Sequence, residues 1–370
     1  MCTNFVITTE TNTNEQNSLA IPDAVIVGRT MEFGNQSVAD GQVTILPKGE
    51  LLYSYGTAKA DHKYCIVGVN IHVTNDDDKE ENNDPVLRLL ANCLTDGLNE
   101  EGLTCGSLWL PGSEYLTTQK FLESDIPVYL FTNWVLGNFS SVEEVKRAVN
   151  SNDYRFFEVE NLPLPLHFPI TDKSGKSIVI EFSSSDGEPS VYDNELGILT
   201  NAPTYPEQLA NLNTMLREHK FSPYNPAQVP CSIKAPQGEG YGLAGLPGDP
   251  IPASRFVKTA VLKQFATDAQ AGYEIKNAAD AKTLAYHLIN SVDLPKGVTR
   301  YGDAHSSDGS DYTQWVVVKD LSHGEFQIRK YDSPIPYKID FETISQLKLT
   351  EPMFIDVPRD ADALSLIPNH

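Results

Sequence analysis

Apolar and polar residues alternate over short stretches at Asn4 to Thr9, Ala24 to Met31, Glu50 to Tyr55 and Tyr64 to Thr74, and again at Ser177 to Phe182 and Ser190 to Asp193. A period of two sends successive side chains to opposite faces, so these stretches are predicted strands. Helical spacing is found at Val86 to Leu98, at Ser141 to Val149 behind a Ser cap, and at Tyr205 to Leu216, Ile251 to Ala266 and Ala278 to Asn290. Thr313 to Asp320 and Glu325 to Tyr331 predict a hairpin around His323 and Gly324. Strands, then helices, then strands again, with no βαβ alternation, predict an α+β fold whose sheets carry helices on their outer faces. No internal repeat or low-complexity linker interrupts the pattern, so residues 1–370 are expected to form a single domain.

Charge narrows the partners. The chain carries 28 Lys+Arg against 50 Asp+Glu, a formal charge of -22, and such a field repels phosphate backbones and anionic lipid. Neither nucleic acid nor membrane is expected as a partner. The acidic run at 75–84 lacks the central Gly and closing Glu of a calcium loop, so it reads as a solvated loop, with no metal. Gly240, Gly242 and Gly245 have GxGxxG spacing, yet they follow Pro236 and Gln237 instead of a strand and run into LPGDP instead of a helix. An ordered loop is therefore expected there in place of a nucleotide site. No charged-then-apolar leader and no long apolar run occurs, which places the chain as given in the cytoplasm; an export leader replaced by Met1 would leave the same start.

The five cysteines, Cys2, Cys65, Cys93, Cys105 and Cys231, show no CxxC pairing, which argues against a zinc site or a disulfide framework. Cys2 differs by position. If Met1 is removed, its thiol and its α-amino group share one residue, and an amine titrating near 8 can take the proton of a thiol titrating near 8.5. Residues 28–33 read GRTMEF, with Arg29 and Glu32 at the end of a strand expected to pair with the one starting at Cys2. A guanidinium beside the thiol favours thiolate, and a carboxylate can hold or orient the amine. The apolar neighbours Val25, Val27, Met31 and Phe33 argue that the pair is buried.

Six segments, in order, make a resemblance specific: MCTNF, GRTMEF, NEEGLTCGSLWLPG at 99–112, LTNAPTYPEQLANL at 199–212, GLPGDPIPASRFVKTA at 245–260 and TQWVVVKDL at 313–321. Together they resemble the choloylglycine hydrolase and penicillin V acylase family. The resemblance implies the four-layer αββα sandwich of N-terminal nucleophile hydrolases, often homotetrameric, which cleave linear amides without a cofactor. It implies Cys2 as nucleophile, Arg29 as the arginine that tunes the thiol, Asn201 as an oxyanion-hole amide and Arg255 as a second active-site arginine. Without the resemblance, Asn201 would read as an Asn before a turn, and Arg255 as a solvated cation or a salt bridge with Asp249.

Two positions depart from the family. Glu32 stands where the family usually has Asp, one methylene shorter, and its role is expected to survive through a small backbone adjustment. Trp109 stands where the bile-salt hydrolases carry Asn. A Trp side chain cannot replace that amide, so Trp109, with Phe33, is expected to wall the acyl pocket, with a backbone N–H as second oxyanion donor. That pattern resembles the Gram-negative penicillin V acylases, which also hydrolyse acyl-homoserine lactones. The leading expectation is thus a cysteine amidase of penicillin V or acyl-homoserine lactone type. A conjugated bile-salt hydrolase is the first alternative, and a catalytically silent binding protein that retains Met1 is the second.

Overall fold

The computed structural model describes residues 2–9, 22–34, 41–52, 59–71, 93–117, 125–151, 153–159, 164–224, 240–268, 274–300 and 310–359. Two antiparallel sheets form its centre. The first runs in the order Ile198–Leu199, Cys2–Thr8, Val25–Phe33, Tyr312–Asp320, Glu325–Lys330, Tyr337–Asp340. The second runs Ser190–Asp193, Ser177–Glu181, Leu166–Thr171, Thr104–Gly106, Leu94–Asn99, Ile66–Asn70, Val43–Leu46, Met353–Ile355, with Leu108–Trp109 paired to Leu166–Thr171.

Three apolar clusters stack the layers. Val25, Val27 and Val317 of the first sheet meet Val43, Val67, Val69 and Leu98 of the second. On the opposite face of the first sheet, Phe5, Ile26, Val316 and Val318 pack with Phe256, Val257, Leu284 and Leu288 from the helices Pro252–Ala266 and Ala278–Val292. The outer face of the second sheet meets Phe131, Val135, Val142 and Val145 from the helices Phe131–Asn138 and Val142–Val149. This is an α+β sandwich with the layer order αββα. Its inner strands are enclosed on both faces, so Val25–Phe33 is buried almost throughout, Arg29, Thr30 and Glu32 included. Gly28 lets the ring of its cross-strand partner Phe5 lie over it, because a Cβ there would stand 2.4 Å from that ring.

Local chemistry starts the helices where the sequence places them. The Ser141 hydroxyl accepts from the Glu144 amide, Thr204 and Glu207 form a capping box ahead of Tyr205–His219, and Pro252 opens the next helix. The predicted hairpin forms, and Gly324 in its turn has φ 65°. Glu50–Tyr55 is borne out as Gly49–Leu52, its remainder lying outside the described residues.

The helix predicted at Val86 to Leu98 is corrected. Residues 94–99 form a central strand, buried throughout, and 86–92 lie outside the described residues. A strand enclosed on both faces loses the alternation that would distinguish it from a helix. The helix Phe131–Asn138 has no counterpart in the prediction, because all its residues but the last are buried and no polar stripe marks it. The acidic run and Cys231 also lie outside the described residues. Gly240 and Gly245 lie in an ordered turn at φ 90° and 89°, as the loop reading expects.

Candidate active site

Antiparallel pairing sets Cys2 opposite Met31, Thr3 opposite Thr30 and Asn4 opposite Arg29. Since side chains alternate across a strand, Cys2, Arg29 and Met31 face the second sheet, whereas Thr3, Thr30 and Glu32 face the helices. The site is therefore built from both sides of one sheet. Cys2 is 3% exposed and Arg29 fully buried.

On the inter-sheet side, Arg29 Nη2 donates to the Ser107 carbonyl at 2.6 Å and lies 3.7 Å from Cys2 Sγ, while Nη1 donates to the Thr95 carbonyl. Both carbonyls belong to the second sheet and its connections. Gly106 makes room for the guanidinium, since a Cβ there would lie 2.9 Å from both Arg29 Nη1 and Asp96 Oδ1. Burial opposes the charge on Arg29, but the Cys2 sulfur and Asp96 outweigh it and hold the guanidinium above its ordinary value.

On the helix side, Arg255 reaches down from Pro252–Ala266. Its Nη1 donates to the Cys2 carbonyl at 2.6 Å and to Thr3 Oγ1 at 2.5 Å, its Nη2 to Asn201 Oδ1 at 3.0 Å, and its Nε to the Pro250 carbonyl at 3.0 Å. It is buried, not solvated. Asp249 accepts instead from the Ile251 amide and the Ser254 hydroxyl at the helix entry. Glu32 Oε2 lies 3.9 Å from Arg255 Nη1, and Glu32 Oε1 accepts from Thr313 Oγ1 at 2.8 Å. Burial pushes the Glu32 carboxyl up, with Arg255 opposing, and pulls Arg255 down, with Glu32 and Cys2 opposing.

Asn201 follows the short strand Ile198–Leu199. Its Oδ1 accepts from the Cys2 nitrogen and from Arg255, and its Nδ2 donates to the Trp109 carbonyl at 2.9 Å. Two donors on one side and an acceptor on the other fix the orientation of the amide. One N–H of Asn201 is thus used on Trp109, and the second remains. Gln208 holds this segment by donating to the Asn201 and Pro203 carbonyls at 2.6 and 2.8 Å. His167 Nε2 donates to the Thr200 carbonyl at 2.8 Å, while its Nδ1 lies 3.0 Å from Glu181.

A cavity of about 100 Å³ opens at Cys2, walled by Met31, Phe33, Leu94, Trp109 and Leu166. The rings of Phe33 and Trp109 meet edge to face at 6.5 Å. The structure thus brings together every residue the sequence singles out: Cys2, Arg29, Glu32, Asn201, Arg255, Phe33 and Trp109. The backbone group of Trp109 that takes part here is its carbonyl, where the sequence suggests its N–H. Sequence reasoning missed Thr3, Thr313, Gln208 and the carbonyls of Thr95 and Ser107, which carry no side-chain signature of chemistry. It also missed Asp96 and Lys319, whose signal was a charge inside an apolar run.

Among the other described cysteines, burial pushes Cys65 up to about 11 and Cys105 up to about 12, and raises Cys93 as well. Those thiols are packing residues. Among the described residues no cluster of three His, Cys, Asp or Glu is placed to hold a metal ion, and no helix is long and apolar enough to cross a membrane.

An αββα sandwich with a buried cysteine heading a central strand has the layout of the N-terminal nucleophile hydrolases. The chain belongs to the linear amide C-N hydrolases, choloylglycine hydrolase family, whose model matches residues 17–354. It is similar to a bile salt hydrolase/transferase of Clostridium perfringens, 39% identical over 250 residues that make up 65% of this chain and 70% of the relative. It is also similar to a penicillin V acylase of Pectobacterium atrosepticum, 25% identical over 264 residues, 68% of this chain and 62% of that one. The crystal structure of the mutant C2A conjugated bile acid hydrolase from Clostridium perfringens superimposes with a TM-score of 0.79 at 26% identity, covering 99% of this chain and 100% of that one. The protein is an enzyme that hydrolyses linear amides. Its similarity to a bile salt hydrolase exceeds that to the penicillin V acylase, which reverses the order that Trp109 suggested.

Proposed function

We infer that this hydrolase cleaves conjugated bile acids, in which a bulky apolar acyl group is joined by an amide to a small polar amine. The observation that carries the reading is the Cys2 sulfur at the foot of an apolar cavity with the Arg29 guanidinium 3.7 Å away. Similarity to bile salt hydrolases supplies the substrate class.

Once the bond to residue 1 is cleaved, the Cys2 nitrogen is a free amine held by Asn201. The Cys2 sulfur then bonds to the amide carbon as the thiol proton passes to that amine. The oxyanion accepts from the second N–H of Asn201, a type of contact worth about 3 kcal/mol in the barrier. Collapse breaks the C–N bond as the amine protonates the leaving nitrogen, and water hydrolyses the thioester. Arg255 holds the Cys2 carbonyl and Asn201 in register throughout. A homotetramer belongs to this reading too, and light scattering checks it.

A second reading rests on Trp109. Its ring and that of Phe33 form a slot suited to a flat phenoxyacetyl group or a long acyl chain. The test is a panel of glycocholate, taurocholate, penicillin V and a long-chain acyl-homoserine lactone, run on protein whose intact mass shows residue 1 removed. Glycocholate and taurocholate are expected to give the highest kcat/KM, and Cys2→Ala to abolish turnover of all four. A tenfold preference for penicillin V or the lactone would transfer the assignment to the second reading. Undiminished turnover by Cys2→Ala would remove both.

A further inference from the structure

Two buried cations approach one carboxylate between the sheets, and they share it unequally. Lys319 Nζ donates to both oxygens of Asp96, at 2.6 and 2.7 Å, whereas Arg29 Nη1 stands 3.4 Å from Oδ1. All three side chains are at most 1% exposed. The register creates the cluster. Arg29 lies opposite Val317 and Lys319 opposite Val27, so both cations point from the first sheet toward Asp96 on the Leu94–Asn99 strand of the second.

A carboxylate this near a guanidinium ordinarily cancels much of its charge. Here Lys319 occupies both carboxylate oxygens, and although Asp96 still acts on Arg29 from 3.4 Å, the shorter hydrogen bonds of Arg29 go to the neutral carbonyls of Thr95 and Ser107. Two cations and one anion leave one positive charge over; Cys2 Sγ and Met31 Sδ both lie 3.7 Å from Arg29 Nη2, and of the two sulfurs only the thiol can ionise. Burial pulls Lys319 below its ordinary value while Asp96 opposes that, so the ammonium depends on this carboxylate.

We propose that Lys319 is a positioning residue for amide cleavage: by engaging Asp96 it leaves the Arg29 charge to the Cys2 sulfur and sets the pH at which the nucleophile becomes thiolate. The inference rests on Cys2 being the nucleophile. The other charged or titratable groups about the site are Glu32 beside Arg29 on the same strand, Arg255 from the helix layer with Asp311 acting on it, and Cys105 on the second sheet. None of these engages both oxygens of Asp96 as Lys319 does.

The test measures the pH dependence of Cys2 alkylation by iodoacetamide, followed by peptide mass, in the wild type, Lys319→Met and the charge-neutral double variant Asp96→Asn/Lys319→Met. Lys319→Met is expected to raise the midpoint by about one unit or more, slowing alkylation at pH 7 roughly tenfold, and to move the acid limb of kcat/KM with it. The double variant is expected to return the midpoint to within about half a unit of the wild type. A purely structural lysine would alter both variants alike or neither. An unmoved midpoint in Lys319→Met, or a double variant displaced as far as the single, overturns the proposal. Should Lys319→Met fail to fold, Asp96→Asn decides: its midpoint stays or falls under the proposal, and a rise overturns it. Alkylation needs no turnover, so this failure is distinct from that of the nucleophile reading, which appears as activity surviving in Cys2→Ala.

Discussion

Asn201 meets three demands with one amide: it accepts from the Cys2 nitrogen, accepts from Arg255, and donates to the Trp109 carbonyl at 2.9 Å. Its remaining N–H is the donor assigned here to the oxyanion. Asn201→Ala is therefore expected to lower kcat by about 10² to 10³ with KM changed little, since an oxyanion contact strengthens only in the transition state. Steady-state kinetics on glycocholate checks this, and a loss below about threefold would assign the oxyanion to other donors. Asn201 and Arg255 were legible through the segments LTNAPTYPEQLANL and GLPGDPIPASRFVKTA, since on their own they read as an Asn before a turn and a solvated cation. Thr95 and Ser107 were not, because they act through carbonyls that any residue possesses. Nor was it evident that Arg29 and Arg255 reach Cys2 from opposite faces of one sheet, because only the register decides that.

At the scale of elements, helices with one wet face were legible, while enclosed elements were legible only in part: the strands Val25–Phe33 and Ser177–Glu181 were predicted, and the strand Leu94–Asn99 and the helix Phe131–Asn138 were not. Tyr205–His219 and Pro252–Ala266 show a helical stripe and a defined start, whereas Phe131–Asn138 and Leu94–Asn99 are enclosed on all sides and give no period. Enclosure also has a cost that can be measured. His62 ends the strand Lys59–His62 and lies against Gly137 of the buried helix, where a Cβ would stand 2.7 Å from the ring. Burial lowers His62 from 6.5 to about 4. A depressed folded-state value means the unfolded chain binds the proton first, so the contribution is complete above pH 6.5 and is lost as pH falls toward 4. About 3 kcal/mol is at stake across that window. His62→Gln is expected to flatten the decline of Tm between pH 7 and pH 4 followed by circular dichroism. An equal slope in both proteins would place the acid-labile group elsewhere.

For the whole molecule, Arg29, Arg255 and Lys319 lie buried about Cys2 with the carboxylates of Glu32 and Asp96 between them, while the chain as a whole carries -22. The local field at Cys2 and the field met by an approaching substrate thus differ in sign. Under the proposed function the substrates are anions, glycine- and taurine-conjugated bile acids, which would cross the negative outer field before they reach Arg29 and Arg255 at the site. Outer repulsion acts over the Debye length, about 30 Å at 0.01 M salt and about 10 Å at 0.1 M, whereas buried charges are screened far less. Raising NaCl from 10 to 200 mM is therefore expected to increase kcat/KM for glycocholate several-fold, mainly through KM. A neutral acyl-homoserine lactone, which feels no net repulsion, is expected to change by less than twofold. Measuring both substrates on one enzyme separates long-range charge from a general effect of salt on the fold, because a loosened fold would move the two together. A fall in kcat/KM for glycocholate over the same range would mean that the mouth of the cavity is positive, and that the net charge of the chain lies away from the substrate's path.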